Sequence, residues 1–140
     1  MSNVYHKLYY HLVWSTKNRE VFITPAVEEL IKYYIPKKIV EHNGISLAFN
    51  NTEDHIHLLC HIPPKISISE FVNKIKGSSS HYVNISSDNE CLYWQNGYSI
   101  FSLSEKNIPF VKKYIINQKQ HHRDNTLIDI LEKISDDQLS

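Results

Sequence analysis

Residues 45–62 read ISLAFNNTEDHIHLLCHI, which is two apolar stretches separated by a polar turn. The apolar stretches cover 45–50 and 55–62, and the four residues between them are of types that favour turns. The segment therefore predicts two strands joined by a turn. Side chains alternate between the two faces of a strand, so His55 and His57 are predicted to share a face. The second strand can thus present two imidazoles to a single point.

The rest of the chain predicts six further elements around these two strands. They are a strand at 5–15, a helix from Thr24-Pro25 to Asn43-Gly44, a helix from Ser67 or Ser69 through Val83, a strand at 97–103, a helix that opens at Ser104-Glu105, and a final helix near 127–134. The order β-α-β-β-α-β-α-α is typical of an α+β, ferredoxin-like (RRM-like) antiparallel sheet with helices on one face, followed by appended C-terminal helices. In this topology the third strand, which carries both histidines, is central.

A second pattern, YIINQ at residues 114–118, lies on the first of the appended helices. Residues i and i+4 share a helical face, so Tyr114 and Gln118 point the same way. Two imidazoles and an amide oxygen form a metal site with open positions, and a tyrosine hydroxyl one turn away is a nucleophile beside a Lewis acid. The combination suits phosphodiester cleavage through a covalent phosphotyrosine, although each pattern alone is common in a chain with nine histidines.

The composition bounds the class of protein. Of the 140 residues, 41% are apolar and 21% are charged, which is ordinary for a soluble globular chain and predicts one domain, 1–140. No apolar stretch reaches the ~18 residues of a membrane span, no signal peptide is recognisable, and only two cysteines occur, so we expect a cytoplasmic protein. The net charge of zero argues against a strong nonspecific nucleic-acid binder. However, an acidic tail from residue 124 onward can offset a positive face elsewhere.

Five segments extend the two patterns along most of the chain. They are YHLVWSTK at 10–17 with Arg19, DHIHLL at 54–59, FVNKIKGSS at 71–79, WQNGYSIFS at 94–102, and YIINQKQHH at 114–122. In this order they resemble the small single-tyrosine HUH transposases of bacterial and archaeal insertion sequences, the TnpA type. The REP-associated tyrosine transposases share the same core.

The resemblance implies a role for each residue of the predicted site. His55 and His57 would be metal ligands, with Gln118 as the third ligand. Tyr114 would be the nucleophile that takes the 5′-phosphate of the cleaved strand and leaves a free 3′-OH. The metal would be a divalent cation, Mg²⁺ or Mn²⁺, whereas the two imidazoles by themselves would also suit zinc.

The resemblance also implies the partners. The substrate would be single-stranded DNA with hairpins at the element ends, handled without a nucleotide cofactor and without a membrane. The enzyme would be a homodimer, in which the tyrosine helix of one subunit can serve the histidine pair of the other in a trans active site. The strands at 5–15 and 97–103 are expected to offer the sheet edge on which a second copy pairs.

Other side chains are candidates for contacts with DNA or with the site. The expected phosphate contacts, which can equally be solvated or structural side chains, are Lys17, Arg19, Lys74, Lys76 and Ser79. His121 and His122 would act behind the metal ligands or lie on the surface at a helix end. Trp94, Tyr98 and Phe101 would stack on bases or belong to the core.

Three other functions fit parts of the pattern. A host-owned REP-associated tyrosine nuclease would keep the same chemistry outside a mobile element. A non-catalytic ferredoxin-like nucleic-acid-binding module would use its sheet face and leave the two histidines and Gln118 without a purpose. A metal-dependent phosphoesterase with a water nucleophile would make Tyr114 incidental.

Overall fold

The computed structural model describes residues 7–120 and 129–132, so the start of the predicted strand at 5–15 and both ends of the predicted final helix fall outside the described residues. The strands and helices are β1 Tyr9–Ser15, α1 Pro25–Glu41, β2 Ile45–Asn51, β3 His55–His61, α2 Ile68–Ser86, β4 Ser99–Leu103, α3 Ile108–Ile116 and α4 Asp129–Glu132. Short 3-10 turns lie at Lys17–Arg19 and Glu105–Asn107. The predicted element order is confirmed along the described residues, and none of these helices is long and apolar enough to cross a membrane.

The four strands form one antiparallel sheet in the order β2-β3-β1-β4. β3 therefore lies inside the sheet, as predicted, where His57 faces Val13 of β1 and Asn50 of β2. β1 pairs with β3 on one side and with β4 on the other. The expectation that the first strand offers an open edge is wrong, because both of its sides already carry ladder hydrogen bonds. Among the described residues, the edges of the sheet are β2 and β4.

The two faces of the sheet bury different partners. Leu12 and Trp14 of β1, with Ile56, Leu58 and Cys60 of β3, pack against the apolar sides of α1 and α2 to form the main core. Burial raises the pKa of the Cys60 thiol to about 12, so this cysteine behaves as a small apolar core residue.

The opposite face of the sheet is covered by α3. Ala48 and Leu59 of the sheet contact Val111 and Ile115 of this helix in a second, smaller apolar cluster. The odd-numbered positions of β3 point toward α3 because side chains alternate along a strand. The histidines of β3 are therefore beneath the helix that carries the tyrosine.

Local signals at the ends of α1 explain its position. The Thr24 side chain caps the helix by accepting a hydrogen bond from the Val27 amide at 3.3 Å. At the other end the Gly44 amide donates to the Ile39 carbonyl at 2.9 Å. A Cβ at Gly44 would lie 2.8 Å from the His61 carbonyl oxygen, so the chain needs glycine where it turns into β2.

Buried polar side chains of β2 dock α3 on the sheet. The Asn50 amide nitrogen donates to the carbonyls of Ile115 (3.1 Å) and Ile116 (2.9 Å) at the end of the helix. Carbonyls at the end of a helix are open to donors from outside it, and the Asn50 amide supplies one to each. Lys119 donates to the Asn50 side-chain oxygen at 3.1 Å, which holds the same asparagine from the other side. Tyr114 is thereby held at a fixed height above β3.

His11 of β1 is buried beneath α3 with no exposed surface. Its ring stacks on His57 with centroids 5.2 Å apart, and its Nε2 lies 2.9 Å from His57 Nδ1. Burial disfavours the charged imidazolium, and the neighbouring His57 adds to the effect, so the pKa of His11 is lowered to about 3. His11 is a neutral ring at physiological pH.

Acid should destabilise the protein through His11. The unfolded chain protonates this ring below about pH 6.5, whereas the folded chain keeps it neutral down to about pH 3, so stability falls as the pH drops between these values. At pH 5 this effect of His11 lowers the free energy of unfolding by roughly 2 kcal/mol relative to neutral pH. Urea unfolding at pH 7.5 and pH 5 measures it.

The matched comparison uses His11→Gln with the exposed His81→Gln as control. The His11 variant should lose roughly 2 kcal/mol less than the wild type between the two pH values, and the control should behave as the wild type does. An unchanged acid loss in His11→Gln would exclude this ring as the cause.

Candidate active site

The imidazoles of His55 and His57 converge on one point above the sheet. Their Nε2 atoms lie 3.2 Å and 3.1 Å from the same atom, Oε1 of Glu132. Both histidines are almost fully buried, at 1% and 0% exposure. The i, i+2 spacing predicted that the two histidines share a face of the strand, and in the structure they do.

Tyr114 and Gln118 reach the same point from α3 and the helical residues after it. The Tyr114 hydroxyl donates a short hydrogen bond to Glu132 Oε2, and the Gln118 amide nitrogen donates to that oxygen at 2.7 Å. Tyr114 is 3% exposed and Gln118 is fully buried. The residues predicted as nucleophile and metal ligands thus meet within one chain, which is the cis member of the two arrangements, cis and trans, that the resemblance allows.

Glu132 is the residue of this site that sequence reasoning missed. It lies on α4, and its side chain is only 13% exposed. Burial disfavours its negative charge, but hydrogen bonds from His55 and His57 outweigh that effect, so the pKa of Glu132 is lowered and the group is a carboxylate. The sequence showed it as one acid of an acidic tail, and no local spacing links it to a histidine more than seventy positions earlier.

Asp54 fixes the orientation of His55. Its Oδ1 lies 2.8 Å from His55 Nδ1, and the Thr52 hydroxyl lies 2.8 Å from the same nitrogen. Burial opposes the charge on both groups, yet their mutual hydrogen bond outweighs it: the pKa of Asp54 is lowered and that of His55 is raised. Arg19 adds to the effect on Asp54 from 3.3 Å. A carboxylate that holds Nδ1 leaves Nε2 directed at the site, as in metal-bound histidines.

His11 lies behind His57 as Asp54 lies behind His55, because His11 Nε2 contacts His57 Nδ1 at 2.9 Å. A neutral His57 that donates from Nε2 to Glu132 accepts at Nδ1 from His11. If His57 instead gives its Nε2 lone pair to a cation, Nδ1 carries the proton and His11 becomes the acceptor. Both protonation patterns keep the hydrogen bond, so the ring orientation is the same in each.

The residues present fit a divalent cation. One atom from each of His55, His57 and Glu132 can be chosen so that all lie within 4.8 Å of one another. Gln118 Oε1 is buried and accepts no hydrogen bond from the residues that the structure describes. Rotating this amide by 180° exchanges its nitrogen and oxygen, which offers the cation a further oxygen donor. Imidazole nitrogen together with amide and carboxylate oxygen suits Mg²⁺ or Mn²⁺ as well as zinc.

Two expected DNA contacts are buried. Ser79 is fully buried, where its hydroxyl accepts from Trp94 Nε1 at 3.0 Å and donates to the Lys76 carbonyl. A phosphate cannot reach it without displacing the indole, so the sequence expectation is corrected at this residue. The Lys76 ammonium donates to the carbonyls of Gln95 and Gly97 at 2.7 Å, and burial lowers its pKa to about 8. Lys76 thus holds the loop in front of β4.

The other expected DNA contacts lie at the surface. Lys17, Arg19 and Lys74 are exposed, and Arg19 also pairs with Asp54. Lys17 lines a groove of about 380 Å³ that also contains the exposed Tyr93. His121 and His122 lie outside the described residues.

The aromatic residues near β4 belong mainly to the interior. Trp94 packs edge-on against Trp14 with centroids 5.8 Å apart, and Tyr98 packs against the main core. Phe101 lies 6.0 Å from the His11 ring. Trp94 and Tyr98 thus pack against the core and remain partly exposed.

Comparison with known proteins gives a consistent family. The protein-family model "Transposase IS200 like" matches residues 4–118. The ISDra2 transposase TnpA of Deinococcus radiodurans is 29% identical over 126 residues, which cover 85% of this chain and 88% of that protein. The transposase of insertion sequence element IS200 from Salmonella typhimurium is 34% identical over 71 residues, which cover 51% of this chain and 47% of the relative.

Solved structures agree with the sequence relatives. A crystal structure of a candidate transposase from Deinococcus radiodurans R1 superposes with a TM-score of 0.64 and 25% identity, over 84% of this chain and 95% of the other. A REP-associated tyrosine transposase bound to a REP hairpin matches with the same TM-score at 16% identity, over 87% and 74% of the two chains, which shows a shared fold. The family model covers far more than half of the sequence, and the chain belongs to the IS200-like transposase family.

Proposed function

We propose that this transposase cleaves and rejoins single-stranded DNA through a covalent link to Tyr114. The observation that carries the proposal is the convergence of Tyr114, His55, His57 and Gln118 on one buried carboxylate. A hydroxyl, two imidazoles and an amide from three separate elements have no structural need to meet there. A nucleophile beside a cation site is a function that uses all of them.

The proposed step is an exchange of one phosphodiester bond for another. The Tyr114 oxygen attacks phosphorus, the bond from phosphorus to the 3′ oxygen of the strand breaks, and the 5′-phosphate stays on the tyrosine. The tyrosine proton is lost to solvent or a base while the departing 3′ oxygen gains one, so atoms and charge balance. Attack by another 3′-OH reverses the step and rejoins strands without a nucleotide cofactor.

The chain's own residues prepare this step. Tyr114 is nearly buried and its hydroxyl already donates to a carboxylate, which orients the oxygen toward the site. A divalent cation, Mg²⁺ or Mn²⁺, would be held by His55, His57 and Gln118, and when bound it would supply positive charge for the phosphate oxygens. Asp54 and His11 keep the two imidazoles oriented toward that place.

The proposed substrate is single-stranded DNA that carries hairpins. The support is the family, together with two exposed basic side chains: Lys17, which lines the groove, and Lys74 on the surface of α2. The solved structure of the REP-associated relative contains a hairpin, and we extend that partner to this chain as part of the proposal.

We also propose a ferredoxin-like classification for the sheet, a cytoplasmic location, and a homodimer that uses β2 or β4, the two edge strands.

The first prediction concerns the nucleophile. Tyr114→Phe removes one oxygen, so it should abolish the covalent adduct with a labelled single-stranded hairpin oligonucleotide while hairpin binding remains. Denaturing gel electrophoresis reveals the adduct, and gel shift measures binding. Tyr82→Phe, whose ring stacks on Tyr34 in the helical layer, is the matched control and should form the adduct normally. An adduct of unchanged yield with the Tyr114 variant would exclude this residue.

The second prediction concerns the cation. His55→Ala or His57→Ala should reduce cleavage at least about 100-fold, because even residues that only support a metal ligand contribute 10–100-fold. Gln118→Ala should reduce it less, roughly 10-fold, because water can replace a neutral amide oxygen. A chelator should abolish wild-type cleavage and added Mg²⁺ or Mn²⁺ should restore it. The exposed His81→Ala is the control; full cleavage in the presence of chelator would contradict the metal requirement.

The third prediction concerns which chain completes each site. Because Tyr114 contacts the site of its own chain, co-expressed His57→Ala and Tyr114→Phe subunits should give no cleavage: neither chain of a mixed dimer holds a whole site. Purification through two different affinity tags isolates the mixed dimer, if the dimer forms. Recovery of cleavage in that sample would show that the tyrosine helix crosses to the partner.

A further inference from the structure

We propose that Glu132 is itself a ligand of the catalytic cation, so that α4 closes the metal site with its carboxylate. The inference rests on the proposed function, which supplies the cation, but it assigns a donor outside the residues that the family motifs provide. The family model ends at residue 118, fourteen positions before Glu132. The carboxylate therefore comes from a part of the chain beyond the matched core.

Both oxygens of Glu132 point into the site. Oε1 faces the Nε2 atoms of His55 and His57 at 3.2 Å and 3.1 Å, and Oε2 faces Tyr114 and the Gln118 amide. A glutamate that served only solubility would have its carboxylate in water. This side chain is 13% exposed, so the fold has placed a charge in a nearly closed cluster.

The spacing of the donors suits coordination without rearrangement of the backbone. Neighbouring ligands around an octahedral cation lie about 3 Å apart when each is about 2.1 Å from the ion. The distances from Glu132 Oε1 to the two imidazole nitrogens are close to this value, and so is the 2.7 Å between Glu132 Oε2 and the amide of Gln118. The hydrogen-bonded cluster therefore already has the dimensions of a ligand set.

The charge balance between a divalent cation and its ligands gives a second argument for Glu132 as a ligand. Two imidazoles and an amide are neutral, so by themselves they leave both positive charges of a buried divalent cation uncompensated. Hard cations such as Mg²⁺ and Mn²⁺ are normally held through at least one carboxylate. Among the residues that the structure describes, the one cluster of His, Cys, Asp or Glu side chains with metal-ligand spacing is His55, His57 and Glu132.

Gln118 gives a third argument. Its amide nitrogen donates to Glu132, while its buried oxygen has no hydrogen-bond donor among the described residues. A cation between the two side chains would let the amide turn its oxygen inward, and the carboxylate would then bind the cation in place of the N–H group. The unsatisfied oxygen is accounted for if the cluster is a metal site whose amide changes its bonding when the ion binds.

Mn²⁺ binding to the full-length protein without DNA tests the proposal apart from catalysis. Calorimetric titration of the wild type and of Glu132→Gln should show a dissociation constant at least about tenfold higher in the variant, since one anionic ligand becomes a neutral amide. Glu29→Gln, which neutralises an exposed carboxylate on α1, is the matched control and should bind as the wild type does. Unchanged or tighter binding by Glu132→Gln would overturn the proposal, and tighter binding would show that the carboxylate competes with the cation for the imidazoles.

A second measurement guards against a general structural effect of the substitution. Co²⁺ substitutes for such cations, and its visible absorption reports the ligand set directly. The spectra of wild type and Glu132→Gln at saturating Co²⁺ should differ, whereas the spectrum of the Glu29→Gln control should match the wild type; identical spectra for wild type and Glu132→Gln would overturn the proposal. A wild type that binds Mn²⁺ through Glu132 but forms no DNA adduct would refute the proposed function and leave this inference standing.

Discussion

The alternation of side chains along β3 is the constraint on which both the core and the site depend. Ile56, Leu58 and Cys60 fill the interior beneath α1 and α2, while His55 and His57 emerge between them on the other face. A shift of register by one residue would move the imidazoles into the main apolar core and would move Ile56, Leu58 and Cys60 to the face beneath α3. The stability of the main core therefore fixes the position of the histidines.

The second face of the sheet is built from polar groups that satisfy one another. Asn50 binds the last carbonyls of α3, and Asp54 and His11 hold the two imidazoles from behind. Burying any one of these polar groups without a partner would cost free energy, but connected by hydrogen bonds they form a rigid support. The same contacts that satisfy the buried backbone also place Tyr114 above the histidines. Stability and site geometry are thus provided by shared interactions.

The charges of the site explain how a chain with no net charge can suit an anionic substrate. The carboxylates of Asp54 and Glu132 are directed at imidazoles, and Asp54 also meets Arg19. Lys17 and Lys74 are exposed on the surface. Local arrangement therefore matters more than the overall balance of 15 basic and 15 acidic residues.

The sequence by itself determined every relationship that depends on local periodicity. His55 and His57 share a face because a strand repeats every two residues, and the caps of α1 follow from Thr24 and Gly44. The helical repeat predicted that Tyr114 and Gln118 point the same way, and both reach Glu132, although α3 ends at Ile116 and Gln118 lies in the helical residues that follow. The element order followed in the same way, because each strand and helix has its own apolar pattern. These predictions concern residues at most a few positions apart.

Only the tertiary structure decided which distant groups meet. The burial of Ser79 and Lys76 depends on packing between elements far apart in the chain. The meeting of Tyr114 and the histidines at Glu132 depends on it too. The physical reason is that periodicity fixes the face of an element on which a side chain lies but not the element that covers it. One acid among several in the tail carries no mark of the two imidazoles that it will contact once the sheet and the helices have packed.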